Sequence, residues 1–247
     1  MTLEQFFSEN PSIAVGFSGG VDSAYLLWIA KKHAKKVGAY YVKTEFQPNF
    51  EYEDAKKFAK LIDIELTVIE KSVLLDESIT QNSCNRCYYC KKLIFNSLVK
   101  KAEEDGFTVV VDGSNASDDI DDRPGMKALL ELSVISPLRE CNLSKQEIRR
   151  LSKEAGLFTW NKPAYACLAT RIPTARLITK DLLERIEKAE DALFALGFLD
   201  FRVRVYDEAA RLQFPLESID TVVNMKKEIV LAIKPYFSIV LLDMEGR

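Results

Sequence analysis

A short apolar run, Ser12 to Phe17, breaks into Ser18-Gly19-Gly20-Val21-Asp22-Ser23, and the chain then continues with helical periodicity to Ala34. This strand–turn–helix context narrows what the segment can do. Glycines let a backbone approach a polyanion closely, and the unpaired N–H groups of a first helical turn point at it. Ser18 and Ser23 add hydroxyl donors. Asp22 beside phosphates implies a bridging Mg²⁺. The chain contains no GxxxxGK[ST], so the loop is not a Walker A motif and lacks the lysine that clamps a γ-phosphate. That is consistent with cleavage between the α- and β-phosphates of a nucleoside triphosphate. The bland alternative is an ordinary helix start.

The segments that follow repeat the alternation. Val37 to Lys43 and Glu65 to Ile69 read as strands, Glu51 to Leu61 and Lys91 to Glu104 as helices, and Phe107 to Val111 as a strand buried on both faces. Val134 to Ser136 reads as a further short strand. Ser144 is a helix N-cap, and Glu147 three residues on completes a capping box. This order predicts an α/β fold, a doubly wound parallel sheet, with ligands at the carboxyl ends of the strands. Beside Ser18 to Ser23, the expected ATP contacts at those ends are Thr44, Gly113 and Asn115. After a Pro-, Ala- and Thr-rich stretch (161–175), helices over 179–196 and 217–233 and strands over 201–206, 210–214 and 236–242 predict a second, smaller α+β domain. The expected division is residues 1–176 and 177–247.

A formal net charge of −3 gives no global attraction to nucleic acid or anionic lipid. No stretch approaches the roughly 18 apolar residues of a membrane span, and the amino terminus lacks the pattern of a secretory signal. A cytoplasmic enzyme is expected.

The five cysteines are Cys84, Cys87, Cys90, Cys141 and Cys167. Cys84-x-x-Cys87-x-x-Cys90 has a spacing that suits zinc or an iron–sulfur cluster, and equally a loop whose thiols bind nothing. Cys167 lies close in sequence to Arg171 and Lys162, neighbours that favour a reactive thiolate; an inert cysteine in an Ala-Cys-Leu-Ala run is the competing reading. Arg202 and Arg204, two apart in a strand, share a face, with Arg211 in the next strand; bidentate arginines suit phosphate and carboxylate. Trp160, Tyr88 and Tyr89 can stack on a ring or pack in the core. His33 reads as a surface residue.

SGGVDS matches the signature of the PP-loop ATP pyrophosphatase superfamily. That resemblance implies that ATP adenylates a carboxylate or carbonyl oxygen and that a nucleophile then displaces AMP. KPAYACLATRIP (162–173), DGSNASD (112–118), DDRPGMKAL (121–129) and RCYYCKK (86–92) together resemble the LarE family. Its members are ATP-dependent sulfur transferases that build the nickel-pincer cofactor of lactate racemase. The resemblance runs in order over nearly the whole chain. It implies Mg-ATP, a pyridinium dicarboxylate mononucleotide as substrate, phosphate contacts from Arg202 and Arg204, and a homo-oligomer. It also implies that Cys167 surrenders its sulfur and is left as dehydroalanine, with Asp22 and Arg171 in the same machinery. One branch of the family uses a three-cysteine iron–sulfur site instead. Residues 168–247 here hold no cysteine, which favours the sacrificial route, and Cys84 is an addition to the family pattern. The competing functions are tRNA thiolation, ammonia-dependent amidation and a non-catalytic nucleotide sensor. The net charge disfavours the first, Cys167 the second and the intact loop the third.

Overall fold

The computed structural model describes residues 1–118 and 124–247. Asp121, Asp122 and Arg123 of the DDRPGMKAL segment therefore lie outside the described residues. The chain divides into two compact units, one of residues 1–73 and 85–164, the other of residues 74–84 and 165–247. The cut falls at Tyr165 rather than residue 177, and a short excursion from the first unit's sequence belongs to the second.

In the first unit, Thr2 accepts from Gln5 N and closes a capping box on α1 (Leu3–Glu9). The helix was not foreseen. Strands β1 (Ser12–Gly16), β2 (Lys36–Lys43) and β3 (Leu66–Glu70) alternate with α2 (Val21–His33) and α3 (Asn49–Leu61). The one-turn α4 (Glu77–Thr80) lies in the second unit, and α5 (Arg86–Glu104) returns to the first. There β4 (Val110–Val111), α6 (Pro124–Glu131), α7 (Pro137–Glu140) and α8 (Lys145–Glu154) complete the unit.

The sheet is parallel in the order β3-β2-β1-β4. Strand alternation distributes its side chains to two cores. Ile13, Val15, Ala39 and Tyr41 pack with α1, α2, α3, α7 and α8, whereas Ala14, Tyr40 and Val42 pack with α5 and α6. Helices therefore cover both faces, as the continuous apolar strands require. Because the chain builds outward from β1 to β3 and then returns to β4 on the other side of β1, the carboxyl ends of β1 and β4 form the switch point where such sheets bind ligands.

Several expected elements differ in detail. Helix α5 begins at Arg86, so Cys87 and Cys90 are helical, not loop residues. Only Val110 and Val111 of the apolar run 107–111 pair as a strand, because Phe107 turns into the core beside Tyr40. The strand expected over 134–136 is a single bridge, Val111 to Ile135. Ser144 does cap α8 by accepting from Glu147 N, but the Glu147 carboxylate turns to Arg150.

In the second unit, Thr179 caps α9 (Lys180–Ala195), which is followed by the antiparallel pair β5 (Arg202–Tyr206) and β6 (Ala209–Gln213). The expected helix over 217–233 is broken at Met225 into α10 (Ile219–Asn224) and α11 (Lys226–Ile233), and β7 (Ile239–Leu242) then pairs parallel with β6. Phe201 packs at 4.7 Å from Phe194 and 5.9 Å from Phe214 between helix and sheet. Residues 80–82 tie down the segment after Arg171: Asn82 donates to the carbonyls of Ile172 and Pro173, and Ile178 N donates to Thr80 O.

Candidate active site

The Ser18–Ser23 loop is braced by its own serines. Ser18 N donates to Ser23 Oγ at 3.2 Å, the two hydroxyls lie 3.0 Å apart, and Ser23 Oγ donates to Gly20 O. Gly19 has φ +76, and a Cβ there would lie 3.0 Å from Glu51 O, so this turn admits only glycine. Val21 is buried and anchors the first turn of α2. Gly20 is the helix N-cap and has no side chain to cap the first-turn amides.

The turn after β4 packs directly on this loop. A Cβ on Gly113 would lie 2.9 Å from Ser23 N, which makes Gly113 the residue that lets the two turns touch. Asn115 is buried and accepts from Ser117 N, while its own N–H donates to Asp118. Thr44 Oγ1 donates to Gln47 Oε1 at 2.6 Å. In this structure Asn115 and Thr44 shape their own turns.

Asp22 stands at the centre. Lys145 Nζ, at the start of α8, lies 2.5 Å from Asp22 Oδ2, whereas buried Oδ1 has no hydrogen-bond partner among the described residues. Burial pushes the Asp22 pKa up, partly offset by Lys145. A second lysine reaches the loop: Lys162 Nζ is 2.7 Å from Asp54 and 3.3 Å from Gly19 O. Arg149 fixes the stretch that carries it by donating to the carbonyls of Trp160 and Lys162. The sequence reading missed Lys145 and assigned Lys162 to Cys167. No local pattern connects Lys145 with Asp22, 123 positions away.

A cavity of about 180 Å³ opens beside the loop, lined by Ser18, Tyr40, Tyr41, Val42, Lys91 and Phe95 among others. Its lining is largely apolar and aromatic, and the buried Tyr41 hydroxyl has no partner among the described residues. Trp160 instead lies under Lys153, and the Tyr88 hydroxyl donates to Glu131. His33 is 3.9 Å from Glu4 at the rim of α2.

In the second unit, Cys167 precedes a 3-10 turn over Leu168–Arg171. The fully buried Arg171 side chain organises this turn. Nε and Nη2 donate to the two carboxylate oxygens of buried Glu190 at 2.9 and 3.1 Å, and Nη1 donates to Ala166 O at 2.8 Å and to Thr170 Oγ1 at 2.9 Å. Burial lowers the Arg171 pKa, but the Glu190 hydrogen bonds and charge more than reverse it, so the guanidinium stays charged. Glu190 also accepts from Val203 N and from Tyr165.

The three candidate anion-binding arginines share one face of β5 and β6. Arg204 stands directly opposite Arg211, and Arg202 lies two residues along. Like charges in opposed positions repel. Burial, then Arg171 and Arg247, push the Arg202 pKa down to about 10. Arg204 is lowered by burial and by Arg171, Arg211 and Arg247. Arg204 Nη1 donates to Thr170 O at 2.6 Å, linking this face to the Cys167 turn. Arg211 Nε is 3.6 Å from Asp243, too long for a hydrogen bond.

The cysteine triplet is less convergent. Cys87 and Cys90 lie on the first two turns of α5, where Cys87 accepts from Arg86, and Cys84 falls in the other unit. Among the described residues, no three His, Cys, Asp or Glu side chains are placed to hold a metal ion.

Comparison with known proteins gives this geometry a family. Residues 12–88 match the family of the queuosine biosynthesis protein QueC. The pyridinium-3,5-bisthiocarboxylic acid mononucleotide synthase of Lactiplantibacillus plantarum is 32% identical over 87% of this chain and 78% of its own. The chain belongs to the LarE family. An uncharacterized protein of Synechocystis sp. is 36% identical over 99% of this chain and 92% of its own. The tRNA-specific 2-thiouridylase MnmA of Pseudothermotoga lettingae is 30% identical over 61% of the chain and 53% of its own. LarE, QueC and MnmA proteins share the PP-loop fold, in agreement with the parallel sheet and its loop.

Proposed function

We propose that this protein uses ATP to adenylate a carboxylate of pyridinium-3,5-biscarboxylic acid mononucleotide and then converts it to a thiocarboxylate with sulfur from Cys167. The observation that carries this reading is the 32% identity to a synthase of the bisthiocarboxylic product over 87% of the chain. The geometry supports it step by step. The Ser18–Ser23 turn and the first-turn amides of α2 receive the triphosphate, and Lys145 and Lys162 add positive charge to that loop. The apolar and aromatic cavity beside Ser18 suits a flat base. Mg²⁺ fits the same place, because Asp22 Oδ1 is a buried acceptor without a hydrogen-bond partner among the described residues. Bound with ATP, it would neutralise charge on the phosphates.

The Arg202, Arg204 and Arg211 face takes the substrate's phosphate and free carboxylate, which relieves the repulsion among these side chains. The Cys167 thiolate attacks the acyl adenylate and expels AMP, giving a thioester. Loss of the Cys167 α-proton and scission of Cβ–S release the thiocarboxylate and leave dehydroalanine. An iron–sulfur cluster does not fit the described residues, and no step is routed through one. Self-association belongs to the same reading, supported by exposed Ile239 and Leu241 on β7. So does a reducing, cytoplasmic setting that preserves the thiol; among the described residues no helix is long and apolar enough to cross a membrane.

Intact mass after reaction with Mg-ATP and the dicarboxylate mononucleotide tests the proposal. A loss of about 34 Da (H₂S, by β-elimination) mapped to Cys167 is expected. Unchanged mass with many turnovers would overturn it.

A further inference from the structure

The thiol of Cys167 is only half of the elimination; the other half is the acidity of its Cα–H. A backbone carbonyl oxygen has two lone pairs, yet three donors converge on that of Cys167. Thr170 N donates to it at 3.0 Å, Thr170 Oγ1 at 2.8 Å, and Arg171 Nη1 reaches it at 3.5 Å. The last is a charged guanidinium with no solvent exposure of its side chain, clamped through Nε and Nη2 by Glu190. Arg204 braces the same turn through Thr170 O.

We infer that the Cys167 carbonyl sits in an oxyanion hole, made by Thr170 and Arg171, that stabilises the peptide enolate formed when the Cys167 α-proton is removed. The inference rests on Cys167 being the sulfur donor. In the thioester, Sγ is bonded to the acyl carbon of the substrate. An oxygen base, water or hydroxide, takes the α-proton, and the C–H electron pair moves onto the carbonyl oxygen. The pair returns to form Cα=Cβ as Cβ–S breaks, and sulfur leaves with its bonding electrons as the thiocarboxylate. No oxidant or reductant is needed. An amide enolate is far too basic to form readily in water. Fixed donors aimed at the oxygen where charge develops stabilise it without reorganisation at the moment of reaction. Thr170 and Arg171 touch that oxygen. Glu190 is a positioning residue that acts through Arg171.

Thr170→Val removes one donor while keeping the shape and the backbone N–H. In a single turnover followed by intact mass, the thioester adduct should accumulate. Dehydroalanine formation should fall about 10- to 100-fold relative to pyrophosphate release, in the range seen for loss of one such donor or somewhat below it. Thr170→Ser, which retains the hydroxyl, should restore the wild-type ratio. Elimination at the wild-type rate in Thr170→Val, or slowing shared equally with pyrophosphate release, would overturn the inference. A second arm needs no substrate: a dibromide that converts cysteines to cyclic sulfoniums makes them eliminate at a rate set by Cα–H acidity. Mapped by peptide mass, Cys167 should eliminate faster than Cys87 on the same chain, and Thr170→Val should erase the difference. Equal rates in the wild type would sink the oxyanion hole even where Cys167 proves to be the donor. A wild-type chain that turns over without losing 34 Da would remove the donor reading itself.

Discussion

Asp22 carries opposite demands from stability and from chemistry. Its carboxylate is buried, one oxygen lacks a partner among the described residues, and its pKa is raised chiefly by desolvation. A raised pKa means that the folded state favours the protonated form. The contribution to stability is therefore fully present below the unfolded value of about 3.9 and is lost as pH rises through the folded value. Asp22→Asn should accordingly melt with the wild type near pH 4 and above it at pH 7, a gap that thermal unfolding across that range will reveal. The same variant should lose about 100-fold or more in pyrophosphate release, because the carboxylate charge that would hold Mg²⁺ is gone. A variant that is both less stable and fully active at pH 7 would contradict both parts. The loop itself was legible from sequence because its residues are contiguous. Lys145 was not, because its contact with Asp22 exists only once α8 has been folded back against α2.

At the level of elements, the facing arginines of β5 and β6 are an arrangement that Asp243 relieves in part and a bound anion would relieve further. Arg211 makes the weakest native contact of the three, so Arg211→Gln should leave the melting temperature of the free protein unchanged or slightly raised. It should weaken calorimetric binding of the substrate mononucleotide by about tenfold, the lower range for a hydrogen bond to a charged group. A fall in stability with unchanged affinity would place Arg211 outside the binding face. The period-two reading of FRVRVY foresaw this shared face, since alternation in a strand needs no tertiary information. The α5 start was misjudged by five positions because a CxxC spacing suggested a metal loop, whereas Arg86 to Cys90 simply continue the helix. Met225 likewise ends one helix and opens another inside a run whose composition gives no break signal.

For the whole molecule, the proposed chemistry sets a stoichiometry. Thiocarboxylate formed per chain should plateau at one, and adding sulfide, iron or thiol to the spent protein should not restart it; a product count well above one per chain would exclude sacrifice. The order of elements and the α/β class were readable because apolar periodicity and the phosphate turn agree. The division at Tyr165, with residues 74–84 joining the later part of the chain, was not: Asn82 holds Ile172 and Pro173 by hydrogen bonds across a separation of ninety residues or more. In the proposed reaction, the donors gathered on the Cys167 carbonyl also outlast the elimination they would assist. Once sulfur has left, they polarise an acrylamide-like double bond, so the spent chain is an electrophile in its own right. Under the proposed chemistry, a cell that makes this protein accumulates, for each product molecule, one activated alkene open to capture by any soft nucleophile that reaches it, and the used chains carry a durable chemical record of the work they have done.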